Sequence, residues 1–119
     1  MNEQTPKYPD GLRWIPVINT ESVAIPPFAM MEVQNEHAVG RVPVGKPSSS
    51  GKTTAIMVNG PGVIPATSGT KYGTGQALYA NTQVIAAYKA STDPVAGDSV
   101  GVESGSWFLS PDQSGFKIV

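Results

Sequence analysis

Apolar positions along the chain come in short runs, and proline, glycine or small polar residues interrupt each run before it reaches helix length. Runs of this length bounded by turn-forming residues are typical of β-strands. We therefore predict extended structure at residues 12–18, 23–25, 28–33, 39–44, 54–58, 63–64, 107–109 and 116–119.

Residues 83–89 (QVIAAYK) are the one place where a helix competes with a strand. Asn81 or Thr82 could cap such a helix, but the run is short and we favour a strand. The stretches between the runs are predicted to be turns and loops. The longest are residues 46–52 and the glycine-rich residues 67–76.

The choice of apolar residue supports the same fold class. The chain has 13 Val and 7 Ile against 3 Leu, and β-branched side chains fit a pleated surface better than a helix. With 119 residues, including 13 Gly and 11 Pro, we expect an all-β protein with one β domain at residues 12–119. A small barrel or a sandwich of short strands would satisfy this pattern. Trp14 and Trp107 are predicted to anchor its core.

Residues 1–11 are polar and contain two prolines, so we predict an extended N-terminal arm. Too few apolar side chains are present to offset the cost of ordering this segment in isolation. Tyr8 and Pro9 are therefore candidate contacts to a partner, with the Tyr8 ring as the anchor.

Charge is scarce, at 14% of residues, and residues 53–88 carry a single charged side chain, Lys71. Because the cores of protein interfaces are depleted in charge, a partner could cover this stretch. Thr70, Tyr72 and Thr74 are the candidate contact residues within it. A neutral polar surface exposed to solvent explains the same composition equally well.

Charge, hydropathy and cysteine content each bear on where the protein acts and on what it binds. A net charge of −1, with eight scattered Lys and Arg, does not favour nucleic-acid binding, which draws on clustered cations. No run approaches the length of a membrane span, and the first residues lack the apolar region of a signal peptide. The absence of cysteine fits synthesis in a reducing cytoplasm.

None of the motifs that could support catalysis or a cofactor is complete. Residues 45–53 (GKPSSSGKT) resemble a phosphate-binding loop, but five residues separate Gly45 from Gly51 where four are required. His37 is the only histidine and has no second metal-ligand type beside it. Asp93, Asp98 and Glu103 are assigned to turns. We therefore predict no enzymatic activity, no cofactor and no metal site.

Two parts of the chain resemble known proteins. Residues 19–33 (NTESVAIPPFAMMEV) are similar to an opening phrase of phage structural proteins, in which "ipp" and an aromatic residue lead into a strand. Residues 94–101 (PVAGDSVG), 105–109 (GSWFL) and 115–119 (GFKIV) resemble the C-terminal hairpins of those proteins. The resemblance is to small all-β structural proteins of tailed-phage virions, most of all head decoration (cement) proteins.

The resemblance implies a location, partners and a role. The chain would lie on the outer surface of the capsid and bind the major capsid protein, stabilising contacts between capsomers. It would form a homo-oligomer, with a trimer favoured. A tail-fibre or baseplate β module is the alternative, followed by a carbohydrate-binding module, whose platform would also use Trp and Tyr.

Overall fold

The computed structural model describes residues 13–35, 40–81, 83–89 and 91–119. These residues contain strands, isolated bridges and turns, and no helix, so the protein is all-β as the sequence predicts. The strands are β1 (Ile15–Asn19), β2 (Met30–Val33), β3 (Val42–Gly45), β4 (Ile56–Asn59), β5 (Thr74–Tyr79), β6 (Ser99–Val100) and β7 (Phe116–Lys117).

Five of the strands close into a barrel in the order β1-β3-β2-β4-β5. β5 returns to β1 in antiparallel register, with Ile15 opposite Ala77, while β1 and β3 run parallel. Closure pairs every barrel strand on both sides, so the barrel has no free edge. Of the two architectures that the sequence allows, the protein adopts the barrel.

Two barrel strands are buried on both of their faces. In β4, Met57 points into the barrel interior, while Ile56 and Val58 join a second core outside it. β2 divides in the same way, with Met31 inside the barrel and Met30 outside. Since side chains alternate along a strand, a strand with buried residues at consecutive positions must be covered on both sides. The C-terminal part of the chain supplies the outer cover.

The C-terminal part is a two-stranded antiparallel sheet, β6 and β7, extended by isolated bridges between Gly101 and Ser110 and between Tyr88 and Leu109. Val100, Val102 and Leu109 pack on the outer faces of β2 and β4. Trp107 reaches back to the barrel core, and its carbonyl accepts a hydrogen bond from the Met30 N–H. The second core therefore joins the small sheet to the barrel.

The structure corrects two local predictions. Residues 74–76, predicted to be loop, open β5, which at six residues is the longest strand of the barrel. Residues 83–89 form neither a helix nor a strand ladder, and a single bridge at Tyr88 is their only strand-like pairing in the described part. Both errors arise because strand pairing depends on a partner that is distant in the sequence.

The two tryptophans differ in environment. Trp107 is 8% exposed and belongs to the barrel core, as predicted, whereas Trp14 is 36% exposed, so the prediction that it anchors the core was wrong. Trp14 precedes β1 and its ring lies on the backbone of Gly60 at the surface. The barrel core contains Trp107 together with aliphatic and methionine side chains, among them Val17, Val44 and Met57.

Candidate functional site

An alternation of exposed and covered residues leads into β5. Tyr72, Thr74 and Gln76 are exposed, whereas Gly73 is buried and Gly75 is half-buried. Period-two alternation places the three exposed side chains on one side of the strand, facing away from the core. Tyr72 is 63% exposed, which is unusual for a large ring and leaves most of its surface open to a partner.

A small groove adjoins the exposed side of β5 at Gln76, which is one of its lining residues. It encloses about 260 Å³ and is lined by Trp14, Gln76 and the turn that follows β4, residues 60–63. Val63, which is 58% exposed, forms one wall. The ring of Trp14 lies so close to Gly60 that a Cβ there would come within 3.0 Å of it, so glycine permits this packing.

We call the surface made by Trp14, Val63, Tyr72, Thr74 and Gln76 the Trp14 face. It combines three exposed apolar side chains with neutral polar ones. This composition is the one that protein interfaces favour, with aromatic rings at the centre and few charges.

Two buried asparagines fix the loops that carry the Trp14 face. The Asn19 side-chain amide donates to the carbonyls of Val23 at 2.8 Å and Pro65 at 3.0 Å. The Asn59 amide donates to the carbonyls of Pro26 and Gly62, both at 2.9 Å. Each asparagine ends a barrel strand and holds two loops against it. Both asparagines lie between predicted strands, where the sequence predicts turns, and tertiary contacts bury them.

The charges near the Trp14 face are cationic. Arg41 donates from Nη1 to the carbonyl of Gly75 at 3.2 Å, beside Thr74 and Gln76. Lys71 is exposed in the turn closed by the Ser68–Lys71 bridge, next to Tyr72. A partner surface that matched this rim would be neutral or acidic.

The loop that resembles a phosphate-binding loop encloses a carboxylate of the protein itself. Glu32 of β2 is 6% exposed, and its Oε1 accepts hydrogen bonds from the Ser48 N–H at 2.7 Å and the Ser48 hydroxyl at 2.8 Å. The Lys52 ammonium pairs with Oε2. Residues 48–51 are exposed, so the segment is a surface loop as the sequence predicts, and Ser48 and Lys52 bind it to the barrel through Glu32. The donors that a phosphate group would need are bonded to Glu32.

The hydrogen bonds to Glu32 change its acidity. Burial raises the pKa of the Glu32 carboxyl, but the bonds from Lys52 and Ser48 together outweigh burial and hold the pKa below its ordinary value of 4.5. Glu32 is therefore ionised at neutral pH, and its role here is to tie the loop to the barrel.

Asp98 and Glu103, two of the three acidic residues that the sequence assigns to turns, make contacts that stabilise the fold locally. Asp98 closes a turn, accepting a hydrogen bond from the Val95 N–H at 3.0 Å. Glu103 forms an ion pair with Lys89 at 2.6 Å. In the described part of the chain, no three acidic, His or Cys residues converge as a metal site, and no helix could cross a membrane. His37 lies outside the described residues.

The predicted contact residues fall into two groups. Tyr72 and Thr74 lie on the Trp14 face, and Thr70 is exposed in the neighbouring turn, residues 68–71. Tyr8 and Pro9 lie outside the described residues. Trp14 and Val63 complete the face but are not among the predicted contact residues, because the sequence predicts Trp14 in the core and Val63 in a strand.

The fold and the Trp14 face define a small β-barrel protein with an exposed, charge-poor apolar surface. Comparison of the chain with protein-family models, with curated proteins and with solved structures finds no match.

Proposed function

We propose that this chain is a non-enzymatic structural protein of a tailed-phage virion, a head decoration (cement) protein that binds the outer capsid surface. The Trp14 face is the observation that carries the proposal. On this face Tyr72, Thr74 and Gln76 lie exposed along one side of β5 and the residues before it, and Gln76 also lines the groove formed with Trp14 and Val63. Exposed aromatic side chains on a rigid scaffold are suited to docking, because little conformational entropy is lost on binding.

The resemblance to phage structural proteins supplies the identity of the partner. In this proposal the Trp14 face contacts the major capsid protein at the junctions between capsomers, and the copies of this chain form a homo-oligomer, with a trimer favoured. A closed barrel suits the role, since a protein present at high density on a capsid benefits from lacking free barrel edges. Tyr8 and Pro9 remain predicted contacts of the arm.

The proposal can be tested with phage heads assembled without this chain. Purified protein should bind such heads, and Thr70→Asp or Thr74→Asp should weaken binding at least about tenfold, because a charge buried without a partner is costly. Cosedimentation with the heads measures binding, light scattering gives the oligomer size, and a thermal melt confirms the fold.

Thr92→Asp is the matched control, since Thr92 is exposed and lies outside the charge-poor stretch. Head binding that is equal in all three variants would reject the Trp14 face as the docking surface. Absence of head binding by the unmodified protein would reject the decoration role itself.

A carbohydrate-binding module is the second candidate, and the groove beside Trp14 is the observation that favours it. The exposed indole ring and the Gln76 side chain form a surface on which a neutral sugar ring could stack, and none of the described residues that line the groove is charged. Glycan-array binding that disappears in Trp14→Ala, together with no affinity for heads, would favour this candidate over the first.

A further inference from the structure

A second, larger groove lies on the C-terminal part of the protein. It encloses about 710 Å³ and lies over the second core, where Met30, Val100 and Leu109 line it. One wall is residues 83–88 and the other is residues 115–119. The described residues that line it are mostly apolar, and Lys117 carries the one side-chain charge among them.

In both walls, alternate side chains pack on the second core, as they do along a β-strand. Val84, Ala86 and Tyr88 pack on the second core, and the intervening residues 85 and 87 do not. In the opposite wall Phe116 and Ile118 pack on that core. A period of two is the spacing of side chains on one face of a strand. The two walls, lying over the second core, therefore resemble two strands of one sheet with a gap between them.

The first half of the first wall, residues 83–86, has no backbone hydrogen bond to another described residue, whereas Ala87 bonds to Phe28 and Leu109. Residues 83–86 run without a turn or bend, and their N–H and C=O groups make no hydrogen bond within the described part of the chain. Val84 and Ala86 are nevertheless half-buried. Backbone groups shielded from water are almost always paired, so a run that has no partner among the described residues points to a strand supplied from outside them. The second wall offers an edge as well, because β7 pairs with β6 alone among the described strands.

We propose that this groove accepts an extended peptide segment donated by a neighbouring protein subunit, which adds the missing strand between the two walls. Strand addition supplies main-chain hydrogen bonds for affinity, and pockets for alternate side chains supply specificity. The donated segment has apolar side chains at every second position, facing the second core. It carries a carboxylate opposite Lys117, since opposite charges on neighbouring strands attract.

The inference is independent of the proposed function. The head-binding experiment tests the Trp14 face, whereas the groove is lined by different residues and would accept a strand in any assembly. Failure of either experiment leaves the other intact.

The test uses two synthetic peptides in which valine alternates with threonine, one with a central aspartate and the other with lysine at that position. The full-length protein, labelled with ¹⁵N, should bind the aspartate peptide about fivefold more tightly than the lysine peptide. Amide shifts should be concentrated at residues 83–86 and 116–118. Hydrogen exchange of the amides of residues 83–86 should slow on binding.

Lys117→Glu should reverse the preference between the two peptides, whereas Lys71→Glu, an equal change of charge on the Trp14 side, should not. Absence of binding would overturn the proposal, as would shifts confined to the Trp14 face or a preference unchanged in Lys117→Glu. Nuclear Overhauser contacts between residues 1–12 and Val84 in the free protein would overturn it too, because the groove would already be filled from within.

Discussion

Asn19 and Asn59 show how single buried polar residues shape the surface of this protein. Asn19 is 1% exposed and Asn59 is 2% exposed, yet each side-chain amide reaches two loop carbonyls. A buried carbonyl left without a donor costs about 1–3 kcal/mol. The two asparagines therefore stabilise one loop conformation and, through it, the arrangement of the Trp14 face.

Replacing each of the two tryptophans with alanine gives a matched pair of variants. Trp107→Ala should lower the free energy of unfolding by about 3–5 kcal/mol, because it removes a ring from the barrel core. Trp14→Ala should cost less than about 2 kcal/mol, since its ring is 36% exposed.

Urea unfolding of both variants, followed by circular dichroism, measures the difference. Equal destabilisation by the two substitutions would contradict the assignment of Trp107 to the core and of Trp14 to the surface.

Among the elements, β5 depends on glycines that make it look like a loop in the sequence. Residues 64–65 pack so closely against Gly73, just before β5, and Gly75, within it, that neither position has room for a side chain. A Cβ on Gly73 would lie 1.7 Å from the Pro65 carbonyl oxygen, and one on Gly75 would lie 2.7 Å from the Ile64 side chain. Glycine is thus required by close approach of another segment, as is common where it interrupts a strand.

This crowding predicts a large effect for a small substitution. Gly73→Ala should destabilise the protein by more than about 2 kcal/mol, because the new methyl group overlaps a backbone carbonyl that cannot rotate away. It should also displace Tyr72 and thereby disturb the Trp14 face.

Gly62→Ala is the control, since a Cβ there meets no atom within 4 Å. Its free energy of unfolding should stay within about 1 kcal/mol of the unmodified protein. Thermal melts of both variants test the contrast, and similar melting temperatures would show that the crossing segment moves aside easily.

At the scale of the whole molecule, the loop of residues 46–53 connects the barrel to the C-terminal part. Glu32 holds it from the barrel side through Ser48 and Lys52. From the other side, the Gly51 N–H donates to the Val102 carbonyl and the Gly105 N–H donates to the Pro47 carbonyl, at 2.9 and 2.8 Å. Contacts to the barrel and to the C-terminal part thereby stabilise one conformation of a loop that is rich in serine and glycine.

The ion pair makes the stability of the molecule dependent on pH. Because the pKa of Glu32 is lowered in the folded state, its stabilising effect is complete above the ordinary pKa of 4.5 and is lost as pH falls through the folded pKa. Glu32→Gln should cost about 1–3 kcal/mol at pH 7, and the difference from the unmodified protein should shrink below pH 4.5.

Unfolding by urea at a series of pH values between neutral and strongly acidic measures this difference. Glu103→Gln is the control, because the ion pair of Glu103 with Lys89 is more exposed and should contribute less than about 1 kcal/mol. A Glu32→Gln difference that stays constant across the series would show that ionisation of Glu32 does not stabilise the fold.

The sequence by itself determined the fold class and most of the strands. β-branched runs cut by glycine and proline predicted β1 to β4 and β7 to within a few residues, because side-chain stiffness and turn chemistry are local properties. It also nominated Tyr72 and Thr74 through the scarcity of charge, which is visible without a structure.

Only the tertiary structure decided the closure of the barrel, the exposure of Trp14, the strand at β5 and the partner of Lys52. Each depends on residues far apart in the sequence. Trp14 has a large and mostly apolar side chain, which is typical of a core residue. It lies before β1, however, and its ring packs over Gly60 at the surface. Residues 83–89 have a strand pattern, but their one bridge to another described residue is between Tyr88 and Leu109, since a strand forms only where a neighbour supplies hydrogen bonds along its length.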